Sequence, residues 1–190
     1  MVLVNVGIVY PPWRRTAVAS VPALRNATPT DLPAVIDLTL EAYDEYAARF
    51  PPEFWQMYRA NIEATLREKE IAQQIVTVQD GILNGSVLLY PPRARPPHPE
   101  RHWTGWPEVR LLAVSPPARG QGVARILMQE CIRRARAWDA PFLQLHTMEV
   151  MQVARAMYER MGFARMPDLD FSPAEGVNVM GYGLDLRTNF

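Results

Sequence analysis

The chain is short of lysine, of cysteine and of net charge, and each shortage removes a class of function. Lys69 is the only lysine among twenty basic residues. It sits in the run Arg67-Glu68-Lys69-Glu70, which reads as a solvated helix face, so Schiff-base chemistry on a lysine is set aside. Cys131 is the only cysteine, which excludes an intrachain disulfide and any multi-cysteine metal site. Twenty acidic residues balance the basic ones. With no basic excess and no basic stripe, nucleic acid is not an expected partner. Long apolar runs are missing as well. The opening stretch Met1–Tyr10 is too short to span a bilayer and lacks a basic n-region. It runs into Pro11-Pro12-Trp13-Arg14-Arg15, so it reads neither as a membrane span nor as a signal peptide. The expected location is the cytoplasm.

What is present is the balance of an ordinary globular domain, 48% apolar and 21% charged over 190 residues. Residues 1–22 read as an extension of unknown role and 23–186 as a single domain. Ala23–Ala27 is an expected first strand. Thr28-Pro29-Thr30-Asp31 then supplies cap chemistry for a helix over Leu32–Ala47. Pro51-Pro52 breaks that helix, and a second follows over Glu53–Glu68. Gln74–Val78 and Ser86–Tyr90 are β-rich runs around Asp80-Gly81…Asn84-Gly85, a hairpin signature. The proline-rich segment Pro91–Pro107 is loop by composition. Its His98 and His102 have no third ligand in view, so no metal is expected. Beyond it come strand Val109–Val114, helix Gly122–Trp138, strand Phe142–His146, helix Glu149–Met161 closed by Gly162, and a final strand Val177–Leu186. The order β-α-α-β-β-β-α-β-α-β predicts an α/β (α+β) fold, one sheet with helices packed on it.

The segment Val114-Ser115-Pro116-Pro117-Ala118-Arg119-Gly120-Gln121-Gly122-Val123-Ala124 carries the functional argument. A strand that feeds a helix through a glycine-rich turn makes an anion site. Unpaired backbone N–H groups converge at the helix start, where the macrodipole adds about half a positive charge. Gly120 and Gly122 remove side chains that would hold a pyrophosphate away from the backbone, and Arg119 adds a cation. The helix beyond carries Val123, Leu127, Cys131, Ala135 and Trp138 on one stripe, which anchors it to a sheet. No Gly-Lys-Ser/Thr follows the glycines, and there is no Gly-x-Gly-x-x-Gly. The first absence excludes the mononucleotide P-loop, and the second argues against a dinucleotide fold.

Arg119-x-x-Gly122-x-Ala124, with Val114-x-Pro116 upstream, resembles the pyrophosphate loop of the GNAT acetyltransferases. The second half is similar too, with Leu143-Gln144-Leu145-His146-Thr147 and then Tyr158-Glu159-Arg160-Met161-Gly162-Phe163. The resemblance covers about Ala23–Leu186. It implies a three-layer fold, with a central mixed, mostly antiparallel sheet of six to seven strands and helices on both faces. It also implies acetyl-CoA as co-substrate, no metal, and direct transfer of the acetyl group to an amine. One departure is Met151, where many members carry an asparagine that helps hold the cofactor arm.

By the same resemblance, Leu112, Ala113 and Val114 offer backbone groups to the pantetheine arm. Arg119, Gly120, Gln121, Gly122, Val123 and Ala124 hold the pyrophosphate. Tyr158 is the candidate acid for the departing thiolate, its alternative being a core aromatic on the stripe Met151, Ala154, Tyr158 and Met161. Glu108 stands where some protein-acetylating members carry a general base, and otherwise is a solvated strand-end carboxylate. His146 is the second candidate base, or a structural histidine. The acceptor pocket is expected from the first two helices and the proline-rich loop, with Tyr43, Trp55 and His146 lining it. Tyr46, Phe54, Tyr58, His102, Trp103 and Trp106 add aromatic surface, which favours a flat or partly apolar amine, and any of them can equally be core. A small-molecule amine is the expected acceptor. The alternatives are a protein N-terminus or lysine, a non-catalytic acyl-CoA sensor, and an interaction protein using the N-terminal arm. A homodimer is left open.

Overall fold

The computed structural model describes residues 22–68, 72–92 and 104–187. The extension up to residue 21, Lys69, and the loop residues His98, His102 and Trp103 lie outside them. The chain begins with β1 (Ala23–Asn26), α1 (Leu32–Asp44) and α2 (Pro52–Arg67). Next come β2 (Gln73–Gln79), β3 (Ile82–Tyr90), β4 (Glu108–Val114), α3 (Val123–Ala137), β5 (Phe142–Met148) and α4 (Gln152–Arg160). The last are β6 (Ala164–Arg165), β7 (Phe171–Ala174) and β8 (Val177–Asp185). The strands form one sheet in the order β1-β2-β3-β4-β5-β8-β6, with β7 also on β8. Its one parallel pairing is β4 with β5; the rest are antiparallel.

Two apolar faces make three layers. On one face Val35 and Ile36 of α1 and Ile62 and Leu66 of α2 pack on Val76 and Leu88. On the other, Leu127, Met128 and Cys131 of α3 and Tyr158 of α4 pack on Val87, Leu143, Leu145 and Tyr182. Burial pushes the Cys131 thiol up to about 12, so it is a packing group rather than a nucleophile.

The structure corrects the sequence reading in several places. The sheet has eight strands rather than six or seven, because β6 and β7 span two and four residues, too few to display an alternating pattern. α1 ends at Asp44, and Ala47–Arg49 forms a separate 3-10 turn. β5 runs on to Met148 because its ladder with β8 continues through Met148↔Val179, which delays α4 to Gln152. The β2–β3 turn is Asp80-Gly81 alone, both at positive φ as a two-residue hairpin loop requires. Asn84 and Gly85 lie inside β3.

Gly85 is there for a packing reason. A Cβ at this position would stand 2.6 Å from both Thr77 Oγ1 and Val123 Cγ1, and 3.0 Å from Leu127 Cδ1. The bare backbone lets α3 lie close on β3. Gly85→Ala is expected to destabilise the fold by about 1–3 kcal/mol, the usual cost of overpacking a core. A thermal melt at or above the parent's would show that the α3–β3 contact relaxes freely.

Candidate active site

The site begins as a fault in the sheet. Leu111 in β4 has φ +48°, and the β3–β4 register slips between Ser86 and Leu88. That is a bulge, one residue more on β4 than its partner strand needs. The β4–β5 ladder stops after Glu108↔Gln144 and Val109↔Leu145. Beyond it the strands part, and the gap opens into a cleft of about 1530 Å³. Leu112, Ala113 and Val114 line this cleft from β4.

At the end of β4 the turn Ser115–Gly122 leads into α3. Ser115 N–H donates to Asn84 O at 3.0 Å and Ala118 N–H to Ser115 O at 2.9 Å, which fixes the turn's start. Gly120 and Gly122 are at φ +74° and +82°, and a Cβ on either would meet no protein atom within 4 Å. Both border the open cleft. The first recorded helical bond from α3 is Ile126 N–H to Gly122 O, so the amides of its first turn have no partner within the helix. Arg125, Arg133, Arg136 and Arg160 line the same cleft. Convergent amides, bare glycines and arginines make a fitting cradle for a pyrophosphate. Arg119, Gly120, Gly122, Val123 and Ala124 all line it, while Gln121 turns away and donates to Pro117 O at 2.9 Å. Arg119 binds Glu45 Oε2 at 2.7 Å and donates to Ala42 O at 3.2 Å, which ties the turn to the end of α1.

Tyr158 lines the cleft from α4 and is 6% exposed. Gly162 ends that helix at φ +89°. Phe163 N–H returns to Tyr158 O and Gly162 N–H to Glu159 O, each at 3.0 Å, the paired bonds of a Schellman cap. The reversal brings the Phe163 ring to 5.9 Å from that of Tyr158. Burial, with Tyr46, Cys131 and Tyr58 nearby, raises the Tyr158 phenol well above the ordinary value. It is therefore an O–H donor throughout the physiological range.

Glu108 and His146, read from the sequence as separate candidates, form one unit. His146 Nδ1 stands 2.9 Å from Glu108 Oε1, and its Nε2 donates to Leu169 O at 3.0 Å. A carbonyl only accepts, so Nε2 carries a hydrogen and one further proton is shared between Nδ1 and the carboxylate. Arg110 donates to Glu108 Oε2 at 2.5 Å and lies over the Tyr90 ring at 4.3 Å. His146 lines the cleft, whereas Glu108 is 5% exposed and stands behind it. Sequence reasoning missed Arg110, although its i+2 spacing from Glu108 on a strand puts both on one face.

Of the aromatics read as an acceptor wall, Tyr43 and Tyr46 reach the cleft. Burial raises the Tyr43 phenol well above its usual range and pushes Tyr46, which hydrogen-bonds Glu45, up to about 12. Trp55 lies outside the lining, stacked on Phe50 at 6.4 Å and beside Tyr58 at 6.0 Å. Trp106 packs on Phe142 at 4.5 Å, at the opposite end of β5. Among the described residues no three His, Cys, Asp or Glu side chains gather as a metal site, and no helix is long and apolar enough to cross a membrane.

The model of the acetyltransferase (GNAT) family matches residues 35–163. The chain belongs to the GNAT family. It is therefore an acyltransferase, of a family whose general co-substrate is acetyl-CoA. No curated protein matches this GNAT chain. Solved structures share its fold at low identity. The GCN5-related N-acetyltransferase of Rhodopseudomonas palustris is 18% identical with a TM-score of 0.64, over 88% of this chain and 98% of that one. The PaiA N-acetyltransferase of Thermoplasma acidophilum, solved in complex with coenzyme A, is 13% identical with a TM-score of 0.64, over 85% and 98%. The ribosomal-protein-S18-alanine N-acetyltransferase of Escherichia coli is 17% identical with a TM-score of 0.61, over 90% and 97%.

Proposed function

We propose that this GNAT protein transfers acetyl from acetyl-CoA directly to the primary amine of a small, partly apolar molecule. The observation that carries the reading is the single cleft that joins the glycine turn, the unladdered end of β4, Tyr158 and His146. In this reading Arg119 and the amides from Gly120 to Ala124 hold the pyrophosphate, with Gln121 bracing the turn. The backbone of Leu112, Ala113 and Val114 aligns the pantetheine arm, as an added strand would be aligned. Tyr43, Tyr46 and His146 border the acceptor's side. Trp55 supports that wall from behind, through Tyr58, whose ring is 6.1 Å from that of Tyr43.

The chemistry needs a neutral amine and a proton for the leaving thiolate. When the amine nitrogen bonds to the acyl carbon, the carbon–sulphur bond breaks and the electron pair leaves on sulphur. Tyr158 O–H delivers the proton there. The Glu108–His146 bridge, once its shared proton has gone to solvent, takes up the amine's proton through water.

The test is thiol release over a panel of aromatic, aliphatic and peptide amines, with acetylated products identified by mass spectrometry. Acetylation of small amines, with peptides inert, supports the reading. Acetylation of peptide N-termini or lysines alone moves the acceptor to protein, and tight CoA binding without turnover makes the domain a sensor. In the same assay Glu108→Gln is expected to alter the acid limb of the pH–rate profile and to leave acetyl-CoA affinity unchanged. A profile that overlays the parent's removes the Glu108–His146 pair from the mechanism.

A further inference from the structure

Thr147 carries a polar atom that the fold leaves unpaired. The residue is 3% exposed, and its hydroxyl has no hydrogen-bond partner among the described residues. Sealing a hydroxyl from water without a partner is a net cost to folding, so a site that keeps one calls for a reason. Thr147 also lines the cleft.

Two other orphaned polar atoms help to define what is special here. Ser86 Oγ lies on β3 and does not border the cleft. Arg110 Nε does belong to a cleft residue, but that guanidinium already holds Glu108 and lies over Tyr90. Thr147 is engaged by neither kind of contact.

Its place on β5 says which ligand it meets. Side chains alternate along a strand, so Thr147 shares the face of Leu145, which packs in the core that also contains Tyr158. His146 points to the other face, toward Glu108 and the edge of Phe171. Counting on from the paired Val109 and Leu145, Thr147 stands level with Leu111 and Leu112 across the gap. A chain laid along the unladdered end of β4 therefore passes this hydroxyl. The neighbouring wall from Met151, Ala154 and Met157 supplies no competing N–H or O–H from its side chains.

We propose that the Thr147 hydroxyl donates a hydrogen bond to a carbonyl oxygen on the arm of the acyl donor, the thioester carbonyl or a pantetheine amide. The proposal rests on the acyl-CoA reading of the cleft. No protein group among the described residues satisfies the hydroxyl, and the donor's carbonyl would, so part of its cost to the fold returns as affinity for the donor.

Thr147→Val keeps the branched shape and deletes only the hydroxyl, and Thr147→Ser keeps the hydroxyl. On the full chain, calorimetry with acetyl-CoA and with CoA, alongside ligand-free melting, separates the outcomes. Thr147→Val is expected to bind acetyl-CoA about tenfold more weakly, the scale of one neutral hydrogen bond. Its ligand-free melting temperature should equal or exceed the parent's, and Thr147→Ser should retain affinity. A loss confined to acetyl-CoA assigns the thioester carbonyl; an equal loss for CoA assigns an amide. Unchanged affinity for both, or a Thr147→Val protein that melts well below the parent, overturns the assignment. A parent protein that binds neither ligand overturns the acyl-donor reading itself.

Discussion

Tyr158→Phe is expected to cut turnover by at least about tenfold, toward the range of about 10²–10⁴ typical of a general acid, with CoA affinity changed by no more than a few-fold. The ring stays, so its packing against Phe163 and its place beneath α3 survive. Only the proton source goes. The parent's pH dependence supplies a second reading. Burial raises this phenol, so its acid form persists above the usual tyrosine range and turnover should not decline through its ionisation below about pH 10. Full activity in Tyr158→Phe would mean that solvent protonates the sulphur, and would leave Tyr158 a packing group.

The largest effect on binding is expected from Gly122→Val. At φ +82° a β-branched residue is strained, at about 1–2 kcal/mol. A Cβ there meets no protein atom within 4 Å, however, and Gly122 borders the open cleft. The fold should therefore lose modestly while CoA affinity falls by about a hundredfold or more, as several charge-assisted contacts are lost together. Gly81→Val is a matched control. Gly81 has φ +80° and open surroundings too, but it sits in the β2–β3 hairpin and does not line the cleft. A similar drop in melting temperature with CoA affinity intact is expected there. If calorimetry finds undiminished CoA affinity in Gly122→Val, the turn is not the phosphate site.

Much of this was legible in the sequence, and the reason is local chemistry. The glycine turn, the stripe of α3 and the Tyr-x-x-x-Gly-Phe reversal are each written within one short stretch of chain, where spacing maps directly onto backbone geometry. What escaped depends on residues brought together from afar. Arg119 and Glu45 are seventy-four positions apart, Glu108 and His146 thirty-eight. No periodicity announces such pairs, so the sequence offers Glu108 and His146 as rivals where the fold makes them hydrogen-bonded partners. Short β6 and β7 escaped because two or four residues carry no pattern. The orphaned hydroxyl of Thr147 is invisible for a different reason, since being unpaired is a property of surroundings and not of composition.

Leu111 has a consequence for how this fold tolerates change in length. The extra residue of β4 sits just where its ladder with β5 gives out and the cleft opens. Deleting a single residue there would let the ladder re-zip toward Thr147, returning the peptide groups of Leu112–Val114 to an ordinary sheet and closing the binding groove. The hairpin at Asp80-Gly81, by contrast, can gain residues without touching the groove at all. Length is thus rigidly set at one place in β4 and free a strand away, so insertions and deletions around this site should be read as on–off events, while substitutions act by degrees.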